Sequence, residues 1–73
     1  MPTLQEAIGQ RVRHRRMEHH LLQKECAVLV GWQSDYLSRF ERGQWVQIDP
    51  DKLCALADAL GVDLNWLVRG AHE

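Results

Sequence analysis

The chain has 73 residues, 45% of them hydrophobic and 26% charged, with five glycines, two prolines and a formal net charge of −1. A chain this short buries only about 60% of its unfolded surface, which leaves room for one compact domain, taken as residues 1–73, and none for an enclosed substrate pocket beside the core. The composition is too apolar for a disordered chain. No apolar run nears the roughly 18–20 residues that span a bilayer, and the start MPTLQEAIGQ has neither a basic nor an apolar leader region, so a cytoplasmic protein is expected.

Thr3 and Glu6 have capping-box spacing, and Leu4, Ile8 and Val12 follow at helical period, which predicts a first helix over residues 4–19. Its other face carries Arg11, Arg13, His14 and Arg15, either an ordinary solvated face or part of a phosphate-facing surface. Cys26, Ala27 and Val30 define a second helix over 23–30, ended by Gly31, a residue able to take positive φ. After a tight turn, Trp32, Tyr36, Leu37 and Phe40 restart the period in a third helix over 33–42, closed by Arg42-Gly43.

Residues 44–48 have no helical period and read as a loop, with Ile48 and Val46 the candidates to tuck against the core and Trp45 a candidate surface anchor. Asp49-Pro50 opens a fourth helix over 50–60, whose Leu53, Leu56, Ala57 and Leu60 face inward and which Gly61 ends. Asp63 caps a last helix over 64–69, with Leu64 and Leu67 inward and Gly70 closing it, and the tail Ala71-His72-Glu73 is expected to fray. The pattern is all-α. Cys26 and Cys54 both lie among aliphatic residues without metal spacing and are expected to be buried free thiols.

Two short helices across a glycine turn, with Ala27 where they approach closely, form the helix-turn-helix plan. Through Ile8-Gly9-Gln10-Arg11-Val12, Gln23, Ala27, Gly31, Tyr36-Leu37-Ser38-Arg39-Phe40-Glu41-Arg42-Gly43 and Ala57-Asp58-Ala59-Leu60-Gly61-Val62-Asp63-Leu64-Asn65-Trp66-Leu67, the chain resembles the Cro/C1-type (XRE-like) helix-turn-helix family of phage repressors and bacterial transcriptional regulators. The resemblance covers residues 4–70. It implies a five-helix, lambda-repressor-like domain whose third helix enters the major groove of DNA while the second bridges the backbone.

On that resemblance Gln23 meets a phosphate at the start of the second helix. Gln33, Ser34, Asp35, Ser38 and Arg39 form the outward side of the third. Arg39 is the candidate for guanine O6 and N7, Ser34 for a base or phosphate, and Tyr36 for backbone or a thymine methyl. Asp35 either accepts from cytosine N4 or serves the helix dipole. Arg16 and Glu41 match a structural ion pair between the first and third helices, with a phosphate contact the competing role for Arg16. Two departures stand out: Leu22 replaces the usual Ser or Thr cap before the second helix, and His20 stands where Gly often ends the first.

Residues 1–48 carry seven Lys/Arg against five Asp/Glu, and residues 49–73 carry two against five. The basic half is therefore the N-terminal one. With a formal net charge of −1, affinity for an operator calls for two copies, and a homodimer through the C-terminal helices is expected, with Trp66 and Val68 as candidate contacts unless Trp66 packs on its own domain. His14, His19 and His20 share the first helix with four arginines, so their protonation would add positive charge close to DNA. No histidine or cysteine set has metal-ligand geometry, and no nucleophile has a base beside it, so neither an enzyme nor a cofactor is expected. The expected function is a sequence-specific regulator of double-stranded DNA, most simply a dimeric repressor. The alternative is a protein-interaction module or antitoxin-type partner on the same fold.

Overall fold

A computed structural model describes residues 1–45 and 47–70, so the expectations for Val46 and for the tail 71–73 lie outside the described residues. The described residues form α1 (Leu4–Glu18), α2 (Gln23–Val30), α3 (Ser34–Glu41), α4 (Pro50–Leu60) and α5 (Leu64–Arg69), with no strand among them. The all-α, five-helix expectation holds. Helices one and three are shorter than the sequence predicts, because His19, Gln33 and Arg42 stand as caps outside the helical turns.

Three helices start on a side-chain acceptor. Thr3 Oγ1 accepts the Glu6 amide at 3.1 Å while Glu6 Oε1 accepts the Thr3 amide at 3.0 Å. Asp49 Oδ1 accepts from the Asp51 amide at 2.9 Å, with Pro50 at the first helical position, and Asp63 Oδ1 from the Trp66 amide at 2.7 Å. Each acceptor satisfies an amide that has no partner within the helix.

The other ends share one closure. In α1 to α4 the amide of residue i+5 bonds back to carbonyl i, as Leu21 to Arg16 (3.2 Å), Trp32 to Ala27 (2.8 Å), Gln44 to Arg39 (2.9 Å) and Val62 to Ala57 (3.0 Å). The residue just before each such amide is left-handed: His20 (φ 56°), Gly31 (φ 74°), Gly43 (φ 78°) and Gly61 (φ 67°). This is the Schellman closure, and its usual apolar residue after the turn is supplied by Leu21, Trp32 and Val62, all packed against the core. Only α1 makes the turn without glycine.

Ile8 and Val12 of α1, Cys26, Ala27 and Val30 of α2, Leu37 and Phe40 of α3, Leu56, Ala57 and Leu60 of α4, and Leu67 of α5 form the buried cluster. Two inward expectations fail. Cys54 is exposed, because one residue on a helix turns about 100° and carries it off the Leu53-Leu56-Ala57-Leu60 stripe. Leu64, the first residue of α5, sits at the rim of the core and keeps 40% of its surface. Gly9 lets α1 press against the end of α3. A Cβ there would lie 2.5 Å from the Phe40 carbonyl oxygen and 2.6 Å from that of Glu41.

Two substitutions test these backbone constraints by urea denaturation. His20→Gly relieves a left-handed non-glycine residue and should raise stability by about 0.5–1 kcal/mol, after the added chain entropy of glycine in the unfolded state is set against the strain removed. Gly9→Ala forces α1 away from backbone atoms that cannot rotate aside and should lower it by about 1–3 kcal/mol.

Candidate nucleic-acid interface

The outward face of α3 is set by what holds its inward face. Leu37 and Phe40 are buried; the Trp32 ring lies edge-on to Tyr36 (4.8 Å, 74°) and 5.2 Å from Phe40, and Trp45 stacks on Phe40 (4.6 Å, 13°). Aromatic pairs in these arrangements add to the burial of their area. Trp45, a candidate surface anchor in the sequence, is thus part of the brace behind the helix.

Glu41 completes the attachment. Its carboxylate is buried and accepts from Arg16 Nε at 2.7 Å and Nη2 at 3.1 Å, and from Gln23 Nε2 at 3.0 Å. Arg16 Nη1 also donates to the Leu21 carbonyl at 2.7 Å. Side chains of α1, α2 and α3 therefore meet on one charge. Burial pushes the nearby Cys26 thiol up from its ordinary range, and the Glu41 carboxylate adds to that push. Arg16 is enclosed in this cluster, which takes it out of reach as a phosphate contact.

With that face fixed, Gln33, Ser34, Asp35 and Arg39 are exposed, and Tyr36 and Ser38 are half-buried on the flanks of α3. The helix stands as a ridge flanked by depressions, two of which hold the expected residues. On one side Gln10, Arg13, Gln23, Ser38, Glu41 and Arg42 line a polar groove of about 410 Å3. On the other, Gln33, Tyr36 and Arg39 border a shallow cleft with Gly31, Trp32 and Lys52. Gln23 and Ser38 thus share the first depression, apart from Gln33 and Arg39. Asp35 Oδ2 lies 4.0 Å from Arg39 Nη2, one turn along the ridge.

The basic face of α1 divides. Arg11 Nη1 donates to the Leu67 and Val68 carbonyls (3.1 and 2.9 Å), and Arg15 Nε to the Leu60 carbonyl (3.0 Å), with His19 Nε2 2.8 Å from the same oxygen. These groups sit on the C-terminal ends of α4 and α5, where cations are favoured. Arg11 and Arg15 are half-buried against the protein itself, and His19, though exposed, lies with Arg15 on the end of α4. Only Arg13 among the expected residues of that face lies in the α3 groove. Gln10, Arg42 and Lys52 were not legible as neighbours of this surface: Lys52 reaches it through the Gly31 carbonyl, 21 residues away in sequence (3.4 Å).

The helices of the central motif also begin differently from the rest. Neither Leu22 nor Gln33 gives a side-chain acceptor to the first amides of α2 and α3, although Glu25 Oε1 accepts the Leu22 amide at 2.8 Å. Those amides remain available to an outside acceptor.

This arrangement of α2, turn and braced α3 is that of a helix-turn-helix protein. Residues 7–67 match the family described as the helix-turn-helix domain, and the chain belongs to it. Among solved structures it is similar to the P22 c2 repressor protein in complex with a synthetic operator (28% identity, 88% of this chain and 96% of that one, TM-score 0.81). It is also similar to the restriction-modification controller protein C.AhdI from Aeromonas hydrophila (32%, 85% and 92%, 0.77) and to the clp gene regulator ClgR from C. glutamicum (28%, 92% and 86%, 0.81). The Cro/C1-type resemblance read from the sequence is therefore upheld, and the class is one of DNA-binding transcription regulators rather than enzymes. No helix among the described residues is long and apolar enough to cross a membrane.

Removing one partner of a buried pair leaves the other charge without compensation. Glu41→Ala should lower stability by about 3–5 kcal/mol in urea denaturation, because it strands the Arg16 guanidinium. Gln23→Ala, which removes one of three donors to a carboxylate that keeps its ion pair, should cost about 1 kcal/mol.

Proposed function

We propose that the chain is a sequence-specific, double-stranded DNA-binding transcription regulator that acts as a dimeric repressor, with α3 in the major groove. The observation that carries the proposal is the ridge itself: a helix anchored by Leu37, Phe40 and Glu41 that projects Gln33, Ser34, Asp35 and Arg39 into solvent. The major groove, about 12 Å wide, admits one such helix and displays donor and acceptor patterns that these side chains can read. Arg39 reads guanine, while Ser34, Asp35 and Gln33 face base edges near the helix N-terminus and Tyr36 contacts backbone or a thymine methyl. Gln23 and Ser38 lie over the groove that also holds Arg13 and Arg42, and the uncapped amides of α2 meet a phosphate.

The similarity to a repressor solved with a synthetic operator supports this reading. Dimerisation answers the charge problem, since a chain with a formal net charge of −1 gains little from phosphate attraction alone. Two copies joined through the C-terminal helices would read half-sites about 34 Å apart. Trp66 and Val68 are half-buried against their own core, so the contact would use their remaining surface.

Selection of bound duplexes from a random library tests the proposal. It should return a two-fold symmetric site with half-sites about one helical turn apart, bound at two chains per site in sedimentation. Arg39→Ala should remove one guanine preference per half-site at a cost of about 1–3 kcal/mol. Absence of binding to any duplex at low salt would refute DNA reading and favour a protein-interaction module on the same fold.

A further inference from the structure

Most of the cations on this fold are held by backbone carbonyls or by Glu41: Arg11, Arg15 and Arg16 as described, Lys52 by Gly31, and Arg42 Nε by the Ser38 carbonyl at 3.3 Å. Arg39 differs. Among the described residues it has no backbone carbonyl or buried partner; its Nη2 lies 4.0 Å from the exposed carboxylate of Asp35, one turn nearer the N-terminus of α3 on the same exposed stripe. Both side chains are open, 54% and 74% exposed, so neither serves the core. An exposed pair at this spacing stabilises a helix only slightly, which leaves its effect on the direction of Arg39 as the larger consequence.

We infer that Asp35 is the positioning residue for Arg39, and that the two read adjacent base pairs as one unit, a guanine beside a base that bears an amino group in the major groove. The inference rests on the proposal that α3 reads DNA. Arg39 has five N–H donors, of which a guanine uses two. A carboxylate 4.0 Å from Nη2 draws the guanidinium by charge toward the N-terminal end of the ridge without using its donors, which stay available to the base, so less side-chain freedom is lost on binding. Asp35 itself can only accept. It fits the amino group of cytosine or adenine and repels the O6 of guanine or O4 of thymine at the neighbouring pair. Near phosphates the same carboxylate weakens binding to every duplex. The pair therefore lowers affinity in general and raises the difference between right and wrong sequences, which is how specificity is obtained when net charge is low.

The test measures dissociation constants of wild type, Asp35→Asn, Arg39→Lys and the double variant. Each is measured on the selected duplex, on one with the Arg39 guanine replaced, and on mixed-sequence DNA. All four should melt together, since both side chains are exposed. Asp35→Asn should tighten binding to mixed DNA by about three- to tenfold. It should also cut the preference for guanine at the Arg39 position by about tenfold. In the Arg39→Lys background, Asp35→Asn should leave that preference unchanged, the non-additivity expected of a coupled pair. Equal tightening on every duplex, with the guanine preference intact, would overturn the coupling while leaving Arg39 as a reader. If Arg39→Lys changes no base preference, both the coupling and the assignment of Arg39 fall, and absence of binding by all four chains at low salt refutes DNA reading itself.

Discussion

The fold turns on a buried carboxylate. Glu41 ends α3, and its two oxygens are shared between the Arg16 guanidinium from α1 and the Gln23 amide from the start of α2. A buried ion pair contributes little net stability, because desolvation offsets most of the attraction. Its geometric demand is another matter. Three donors on two elements can meet one carboxylate in only a narrow set of arrangements, so the pair fixes how far α3 slides and rotates against α1 and α2. Gly9 allows the approach that the pair requires, since any side chain there would meet the Phe40 and Glu41 carbonyls. The outward stripe of α3 is defined by these inward constraints.

Helix α1 also ties in the C-terminal helices. Arg11, Arg15 and His19 occupy the carbonyls that end α4 and α5, so α1 joins the two C-terminal helices to the motif. These groups answer carbonyls that would otherwise face a partly covered surface without partners. They also explain why the basic composition of the N-terminal half overstates the positive surface. Of the four arginines of α1, three are directed to internal acceptors, and Arg13 alone lies in the groove beside α3.

What could be read from the chain follows from how local the cause is. Caps, glycine turns and apolar period are set by residues within five positions, and Thr3, Asp49, Asp63, Gly31 and Gly61 were legible because each acts on its own helix end. The Schellman turn at His20 lacked its glycine signal, yet the closure forms because Leu21 finds the core. Cys54 misled because aliphatic neighbours in sequence are not neighbours in space on a helix. The roles of Arg11, Arg15 and Lys52 were invisible for a different reason: their acceptors are carbonyls 21 to 57 residues away, and every residue presents the same carbonyl. Arg16 and Glu41 were found only through resemblance to a family.

Low net charge then bears on how such a ridge can function. A strongly basic domain holds any duplex and discriminates afterwards, whereas a domain at −1 whose arginines are largely engaged internally has little sequence-independent attraction to begin with. On the proposed function, binding would come from contacts that only the right sequence offers, and those require a helix held still before it meets the groove. The aromatic brace of Trp32, Phe40 and Trp45 and the Glu41 cluster provide that rigidity without relying on a ligand. On the proposed reading, the Asp35–Arg39 pair extends the same economy to a single side chain: the carboxylate biases Arg39 in the free protein, so the ordering cost on binding would be smaller and the penalty for a wrong base would fall more fully on the complex.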